Sequence, residues 1–351
     1  MTDTTTPVPA PERDSGIRRL FSGRSRVDFI GRSRLWLLVT IASLVICAVG
    51  VGIRGLNFGI EFTGGSSFTV PGVTQDFTSD ELRRALGDAG VQGVIVQVYE
   101  GGESAVVNTP ALDDIGGEQQ AEILEVIAEV TGAERDSIDV AAVGPRWGQQ
   151  ITQQSLRGLA VFLVLVVAYI TFRFELRMAI AALVTLLHDI AITVGVYGIV
   201  GFEVTPASVI AFLTILGYSL YDTVIVFDRV REDTARLSSV STVTFGDEAN
   251  RALNEVLVRS LSTSLTSALP VGSLLFIGTT LLGADTLQDL ALALFVGMAV
   301  GTYSSITVAT PMLVWLKERE PRWAELKERV ESRRREPAAA TAGPRTATRP
   351  E

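Results

Sequence analysis

The sequence contains one cysteine and one histidine among its 351 residues. Cys47 therefore has no partner for a disulfide within the chain. A single histidine, His188, cannot build a site with several histidine ligands, and no spacing typical of a zinc site is present. We expect neither redox chemistry nor a bound metal, and no motif predicts an organic cofactor.

Charge is also absent from long stretches of the chain. Hydrophobic residues make up 47% of it and the mean hydropathy is +0.35, which is too apolar for an ordinary soluble domain of this length. A helix needs about 20 apolar residues to cross the roughly 30 Å hydrocarbon core of a bilayer. We predict six transmembrane helices, at residues 35–53, 151–171, 178–200, 204–227, 261–282 and 287–316.

Lysine and arginine are missing from the short turns near residues 201–203 and 283–285, and are concentrated in the segments on the other side of the membrane. The positive-inside rule then places the N-terminal segment 1–34, the loop 228–260 and the tail 317–351 in the cytoplasm. Basic cytoplasmic segments suit the anionic inner leaflet, so nucleic-acid binding is not needed to explain them. The end of the tail has the composition of a disordered segment.

Residues 54–150 lie between the first two predicted spans and form an acidic external domain, with sixteen Asp and Glu against five Arg. Apolar periodicity predicts the order βαββαβ, which is the split βαβ or ferredoxin-like arrangement. The domain has no histidine, cysteine or nucleophile motif, which favours a binding or coupling module over an enzyme. The predicted fold class is an α-helical integral membrane protein of six transmembrane helices with a small α+β (ferredoxin-like) external domain. The strands are predicted at residues 65–70, 93–99, 105–107 and 137–143, and the helices at 78–89 and 114–131.

Ionisable side chains interrupt the apolar segments. Asp222 lies in the fourth, His188 and Asp189 lie in the third, and Arg259 lies just before the fifth. An ionised carboxylate at membrane depth costs about 3–15 kcal/mol unless a partner, a proton or water offsets it, and such residues usually mark ion or proton pathways. Asp222 and Arg259 lie toward the same side of the membrane, so the two side chains can approach each other. Thr263 shares the helix face of Arg259.

Each of these residues also has a structural interpretation. Arg259 alone could extend toward the lipid headgroups, as interfacial arginines do. A lone buried histidine such as His188 is usually satisfied by a backbone carbonyl. Asp222 is too short to reach the membrane surface from its depth, which favours a functional interpretation. For Gly297 and Gly301, spaced four residues apart, close helix packing is the favoured role.

Five motifs resemble those of the SecD/SecF family, over residues 28–317. The segment 56–65, LNFGIEFTGG, resembles the family's FGIDFTGG, and 187–189 is its LHD. The segment 215–232, ILGYSLYDTVIVFDRVRE, is similar to GYSINDTVVVFDRVRE. The segment 254–264, NEVLVRSLSTS, is similar to NQTLSRTLNTS, and 301–305 matches GTYSS. The DRVRE block and the modest external domain favour the SecF branch over SecD, within the resistance-nodulation-division superfamily.

The resemblance implies roles for particular residues. Asp222 would be the protonatable carboxylate and Arg259 its cationic partner, with His188, Asp189 and Thr263 in the same proton-coupling group. The motif after the first span would comprise Gly59, Glu61, Gly64 and Gly65, where Glu61 replaces the usual aspartate. Helix packing would involve Gly297, Gly301, Ser304 and Ser305.

The resemblance also implies a function. The chain would be a multi-pass subunit of the Sec protein-export machinery in a bacterial plasma membrane, and not an enzyme. With SecD, it would use the proton motive force to promote translocation of unfolded preprotein through SecYEG, after insertion driven by ATP through SecA.

Three other classes of function are open to the sequence alone. The first is a proton-coupled exporter of small molecules or lipids from the same superfamily, which the small external domain argues against. The second is an intramembrane protease, suggested by Tyr221–Asp222 or by Ser219 with His188, but the Gly-x-Gly-Asp and Gly-x-Ser-Gly motifs of such proteases are missing. The third is a passive scaffold of the translocon, which the buried charges argue against.

Overall fold

The computed structural model describes residues 27–99, 104–110, 117–237, 242–278 and 288–340. Within these residues, six helices are long and apolar enough to cross a membrane: Ser33–Arg54, Arg146–Arg173, Leu176–Val200, Pro206–Ala235, Phe245–Gly278 and Gln288–Lys317. The predicted fold class is confirmed. The turn at residues 283–285, most of the basic N-terminal segment and the end of the tail lie outside the described residues.

The elements are numbered in chain order. The helices are α1 (Ser33–Arg54), α2 (Ile60–Thr63), α3 (Ser79–Asp88), α4 (Glu118–Thr131), α5 (Pro145–Arg173), α6 (Leu176–Val200), α7 (Pro206–Ala235), α8 (Phe245–Ser273), α9 (Gln288–Ser304), α10 (Thr310–Lys317) and α11 (Pro321–Ala340). The strands are β1 (Asn57–Phe58), β2 (Gly65–Val70), β3 (Ile95–Tyr99), β4 (Ser104–Thr109), β5 (Asp139–Val143) and β6 (Glu203–Val204). π-Helical turns follow α8 at Leu274–Gly278 and join α9 to α10 at Ser305–Ala309.

Several spanning helices extend beyond the apolar segments that predict them. The fifth span begins at Phe245, inside the predicted loop 228–260, because Thr244 and Asp247 form a reciprocal capping box there. The fourth span continues to Ala235. An apolar pattern ends where the membrane ends, whereas a helix ends where its capping residues lie, so the two boundaries need not agree.

The external domain has the predicted βαββαβ order. Its sheet runs β3-β4-β2-β5 with every pair antiparallel, which is the ferredoxin-like strand order. Helix α3 starts at a capping box formed by Thr78 and Glu81. The sheet and both helices bury a common apolar core. Residues 114–116, predicted to begin the second helix, lie outside the described residues, and the helix is described from Glu118.

Helices α6, α7 and α9 form the centre of the membrane bundle. In α6 and in the sixth span just over half of the residues are buried, whereas α1, α5 and α8 expose large apolar side chains such as those of Leu38, Phe172 and Leu269. Exposed apolar faces are the expected condition of helices whose surroundings are lipid or other membrane-spanning segments.

Glycines bring α9 directly against α7. A Cβ at Gly301 would lie 2.9 Å from the Cβ of Ser219 and 3.3 Å from its Cα. A Cβ at Gly297 would overlap the side chain of Ile215. The two glycines named from the sequence as packing residues therefore lie at this contact, and they bring the backbone of α9 close to the polar residues of α7.

Candidate functional site

The carboxyl group of Asp222 lies where three spans meet. Asp222 is on α7 and is buried. Its Oδ1 accepts a hydrogen bond of 2.6 Å from Oγ of Ser260 on α8, and its Oδ2 accepts one of 2.5 Å from Oγ of Ser305 in the sixth span. Both donors are neutral hydroxyls. This one side chain therefore links α7 to both α8 and the sixth span.

Ser305 begins the π-helical turn that joins α9 to α10. Its hydroxyl also lies 3.0 Å from the carbonyl of Thr302, and its own carbonyl accepts a hydrogen bond from the hydroxyl of Thr310, five residues on. Turns of this kind are rare inside helices and occur frequently at functional sites. Here the wider turn presents Ser305 to Asp222.

A second buried carboxyl group lies on α6. Asp189 is 1% exposed; its Oδ1 lies 3.0 Å from Nδ1 of His188, and its Oδ2 accepts a 2.5 Å hydrogen bond from Oγ of Ser219. Ser219 precedes Asp222 by three residues, so the two side chains lie on neighbouring positions of one face of α7. The two carboxyl groups thus belong to one polar region inside an apolar bundle, which we call the polar core: His188, Asp189, Ser219, Asp222, Ser260 and Ser305.

His188 is not satisfied in the way that a structural histidine usually is. The residue is 5% exposed, yet its Nε2 has no hydrogen-bond partner among the described residues. Its ring lies 6.3 Å from the ring of Tyr303, which contacts α1 through a hydrogen bond of 3.2 Å between its hydroxyl and that of Thr40. A buried polar atom without a protein partner is costly in a purely structural role.

Arg259 and Thr263 are placed away from Asp222. Arg259 is exposed and lines a cavity of about 640 Å³ together with Asp228, Arg231 and Glu232. The hydroxyl of Thr263 donates to the carbonyl of Arg259 at 2.9 Å on the same outer face. Within the described residues no ion pair joins Arg259 to Asp222. The structure therefore brings His188, Asp189 and Asp222 into one region and leaves the predicted arginine outside it.

Ser260 was not identified from the sequence, and Ser219 was considered there only as part of a serine dyad with His188. Ser219 lies at a helical spacing that could have identified it, one turn before Asp222, whereas the inward position of Ser260 depends on the rotation of α8. Ser305 was named only for helix packing, but its hydroxyl binds the central carboxyl group.

We predict that Ser305→Ala weakens the bundle more than Ser304→Ala. The hydroxyl of Ser305 donates to a buried carboxyl group, and that of Ser304 donates to the carbonyl of Gly301 in its own helix. Loss of the first bond should lower the free energy of unfolding by about 1–2 kcal/mol, and loss of the second by about 0.5 kcal/mol or less. Thermal unfolding of the purified chain in detergent measures the difference. Equal destabilisation would contradict the assigned role of Ser305.

The glycine motif after the first span connects the bundle to the external domain. The backbone N–H of Gly59 donates to the carbonyl of Val204 at 3.0 Å, beside the pairing of β1 with β6. Gly64 and Gly65 have φ of 73° and 142°, conformations that residues with side chains rarely adopt. A Cβ at Gly65 would also overlap the carbonyl oxygen of Thr109. The motif therefore fixes how the external sheet is connected to the end of α1 and to the turn between α6 and α7.

The same motif contacts the start of α5. A Cβ at Gly148 would lie 2.7 Å from the carbonyl oxygen of Phe62, so only a glycine allows this approach. The external domain is thus held at three places on the membrane side: the end of α1, the turn between α6 and α7, and the first turns of α5. Of the four motif residues named from the sequence, Gly59 bonds directly to the turn between α6 and α7, and the carboxylate of Glu61 folds back over Gly59.

Comparison with known families bears directly on this arrangement. A sequence model described as "Protein export membrane protein SecD/SecF, C-terminal" matches residues 123–319, and one described as "SecD/SecF GG Motif" matches residues 49–72. The chain belongs to the SecD/SecF family. The first match contains the whole polar core, and the second contains Gly64 and Gly65.

Individual members of the SecD/SecF family cover most of the chain. It is 43% identical to "Protein translocase subunit SecF" of Streptomyces coelicolor over 321 residues, which are 92% of this chain and 85% of that protein. It is also 43% identical to the SecF subunit of Mycobacterium tuberculosis, over 87% of this chain and 70% of that one. The resemblance noted in the sequence, including the SecF branch, is thereby confirmed.

A solved structure of the family shares the fold. The crystal structure of SecDF from Thermus thermophilus, described as a translocon-associated membrane protein, matches 85% of this chain with a TM-score of 0.73 and 32% sequence identity. The chain spans 39% of the length of that SecDF chain. These relatives are named as translocase subunits, so the chain is a multi-pass membrane component of protein transport.

Proposed function

We propose that this chain is a SecF subunit of the Sec protein-export machinery that converts the proton motive force into movement acting on preproteins. The observation that carries the proposal is the Asp222 carboxyl group, which two hydroxyls from two other spans hold inside the bundle. A carboxyl group in this setting can change charge, and its hydrogen bonds link the helices that would have to move.

Protonation must rearrange the hydrogen bonds at Asp222. As a carboxylate it only accepts, and both Ser260 and Ser305 can donate to it. As a carboxylic acid it carries one O–H donor, so one of the two serines must then accept or turn away. The ionised and neutral forms therefore favour different contacts between α7, α8 and the sixth span. A ligand that distinguishes two conformations shifts their populations, and here that ligand is the proton.

The remaining polar residues would supply and remove this proton. His188 and Asp189 reach α7 through Ser219, one helical turn from Asp222. A charged cavity lies on the cytoplasmic side of the polar core. It is lined by Asp228, Arg231, Glu232 and Arg259. Arg259 would serve as a mobile cation that turns toward Asp222 when the carboxylate forms. Thr263 lies on the same face of α8 as Arg259 and would move with it.

The working unit would contain further subunits. This chain matches 39% of the SecDF chain, and we infer that SecD supplies the part of that assembly that this chain does not match. The apolar faces of α1, α5 and α8 offer surface for such a partner. The assembly would act beside SecYEG on unfolded preprotein, after SecA has used ATP to begin insertion. It would lie in the bacterial plasma membrane with both termini in the cytoplasm, and nucleic acid is not among its expected partners.

Translocation into inverted membrane vesicles tests the proposal. Vesicles containing SecYEG, SecD and this chain should import preprotein faster with a proton gradient than without one, at saturating ATP and SecA. Vesicles that lack only this chain should show little of that gradient-dependent increase. If the proton gradient increases the import rate equally with and without the chain, the proposal is wrong and only a passive scaffold role remains for the chain.

A further inference from the structure

A second titratable site lies on the external side, apart from the polar core. Glu203 is in β6, in the short turn between α6 and α7. Its backbone is fixed, because β6 pairs with β1 and the hydroxyl of Ser208 donates to its carbonyl at 3.2 Å. Its side chain extends toward the external domain, where its Oε1 accepts a hydrogen bond from Nδ2 of Asn108 in β4. One carboxyl group thus joins the bundle to the external sheet.

The described residues around the Glu203 side chain are acidic or neutral. Glu61 lies beside it, with its carboxylate over Gly59 next to Val204, and Asp289 approaches from the start of α9. Tyr197 of α6 donates its hydroxyl to the backbone carbonyl of Asp289. Arg54, at the end of α1, is exposed and donates to the carbonyl of Ile199 instead. Within the part of the chain that the structure describes, these are the titratable and charged groups that face the site from the packed helices.

Asn108 indicates whether this contact favours the protonated or the ionised form of Glu203. The residue is 5% exposed, and its Oδ1 has no hydrogen-bond partner among the described residues. A carboxylate cannot donate to that oxygen, whereas a protonated carboxyl group can, while its other oxygen still accepts from Nδ2. An acid and an amide then make two hydrogen bonds in place of one. Burial, followed by the charges of Asp289 and Glu61, raises the pKa of Glu203 to about 7.

We propose that Glu203 and Asn108 form a proton-operated latch that holds the external domain against the membrane bundle when the outer compartment is acidic. Protonated Glu203 closes the latch through two hydrogen bonds to Asn108. Ionised Glu203 loses one of them and is repelled by Glu61 and Asp289. The hydrogen bond from Gln97 to the carbonyl of Gly201, at 3.3 Å, lies in the same contact and would loosen with it.

The direction of the pH dependence follows from the raised pKa. The closed latch favours the protonated form, so its stability is fully present below the ordinary pKa of 4.5 and is lost as the pH rises through about 7. The ratio of closed to open latch should fall on the order of 100-fold across this window. The proposal goes beyond the role of Asp222, and the latch should titrate in the same way in the Asp222→Asn variant.

A distance measurement on the full chain in lipid nanodiscs tests the latch. Spin labels are placed at Glu125→Cys on the external domain and at Val200→Cys at the end of α6, with Cys47→Ala to remove the native thiol. Both label positions are exposed. Between about pH 5 and about pH 9, on either side of the Glu203 pKa, the distance distribution should broaden and lengthen with a midpoint near that pKa.

Two variants make the test specific to the latch. Glu203→Gln carries an amide that can donate to Oδ1 and accept from Nδ2 of Asn108 at any pH, so it should keep the low-pH distribution throughout. Glu134→Gln makes the same change at an exposed position of the same domain and should titrate like the unsubstituted chain. A distribution that does not change with pH in the unsubstituted chain would overturn the proposal. So would a Glu203→Gln chain that still titrates with the same midpoint.

Discussion

Asp222→Asn should remove the gradient-dependent part of preprotein translocation completely and leave the ATP-driven part unchanged. Asparagine has nearly the same shape as aspartate; its carbonyl oxygen can accept from one of the two serines, Ser260 or Ser305, and its amide can donate to the other, as a protonated Asp222 would. It cannot bind or release a proton, so the two arrangements of the bundle no longer differ in protonation. Translocation into inverted vesicles, with and without a proton gradient and at matched expression, measures the effect.

The matched control for this variant is Asp139→Asn. Asp139 is an exposed residue of β5 in the external domain, far along the chain from the polar core. The chemical change is identical, so the control should keep the full response to the gradient. An equal response of both variants would show that Asp222 is a structural hydrogen-bond acceptor and not the coupling carboxylate.

Gly301→Leu should cause a large loss of stability in the bundle. Even a Cβ at this position would lie 2.9 Å from the Cβ of Ser219, and the neighbouring contact is to the backbone of α7, which cannot move alone. A leucine would force α9 away from α7 and separate Ser305 from Asp222. We expect the free energy of unfolding to fall by about 3 kcal/mol. Gradient-dependent translocation should be lost as well, because the same movement breaks the hydrogen bond at Asp222.

Gly217→Leu is the control for this substitution. Gly217 also lies within a spanning helix, on α7, but a Cβ there would have no neighbour within 4 Å among the described residues. Leucine has a higher helix propensity than glycine, so this variant should be neutral or slightly stabilised. Thermal unfolding of both variants in detergent compares them. If the two substitutions lower the midpoint of unfolding equally, close packing at Gly301 is not what holds α9 to α7.

The six spans and the external domain could be predicted because each has a strong periodic or compositional pattern. The apolar segments can be recognised without knowledge of their neighbours, and the alternation in residues 93–99 and 105–107 marks two strands that pair in the sheet. His188, Asp189 and Asp222 were identifiable for the same reason, since an ionisable residue in an apolar segment is conspicuous in one sequence.

The partners of Asp222 could not be predicted, because they depend on the rotation of a helix about its axis. Distance along the axis allows Arg259 to reach Asp222, but successive residues of a helix point about 100° apart. The rotation of α8 in this structure turns Ser260 inward and Arg259 outward. Glu203 was not singled out for a different reason. Its burial comes from the external domain above it, and a turn residue gives no sign of that in the sequence.

The central claim is that Asp222 binds and releases a proton within the hydroxyls of Ser260 and Ser305. Infrared difference spectroscopy of the chain in lipid, recorded as the pH is stepped, observes the carbonyl band of protonated carboxylic acids directly. We predict a band that grows as the pH falls, is missing in Asp222→Asn, and changes frequency in Ser305→Ala because one hydrogen bond is lost. If the band is unchanged in Asp222→Asn, this carboxyl group does not titrate and the account is wrong.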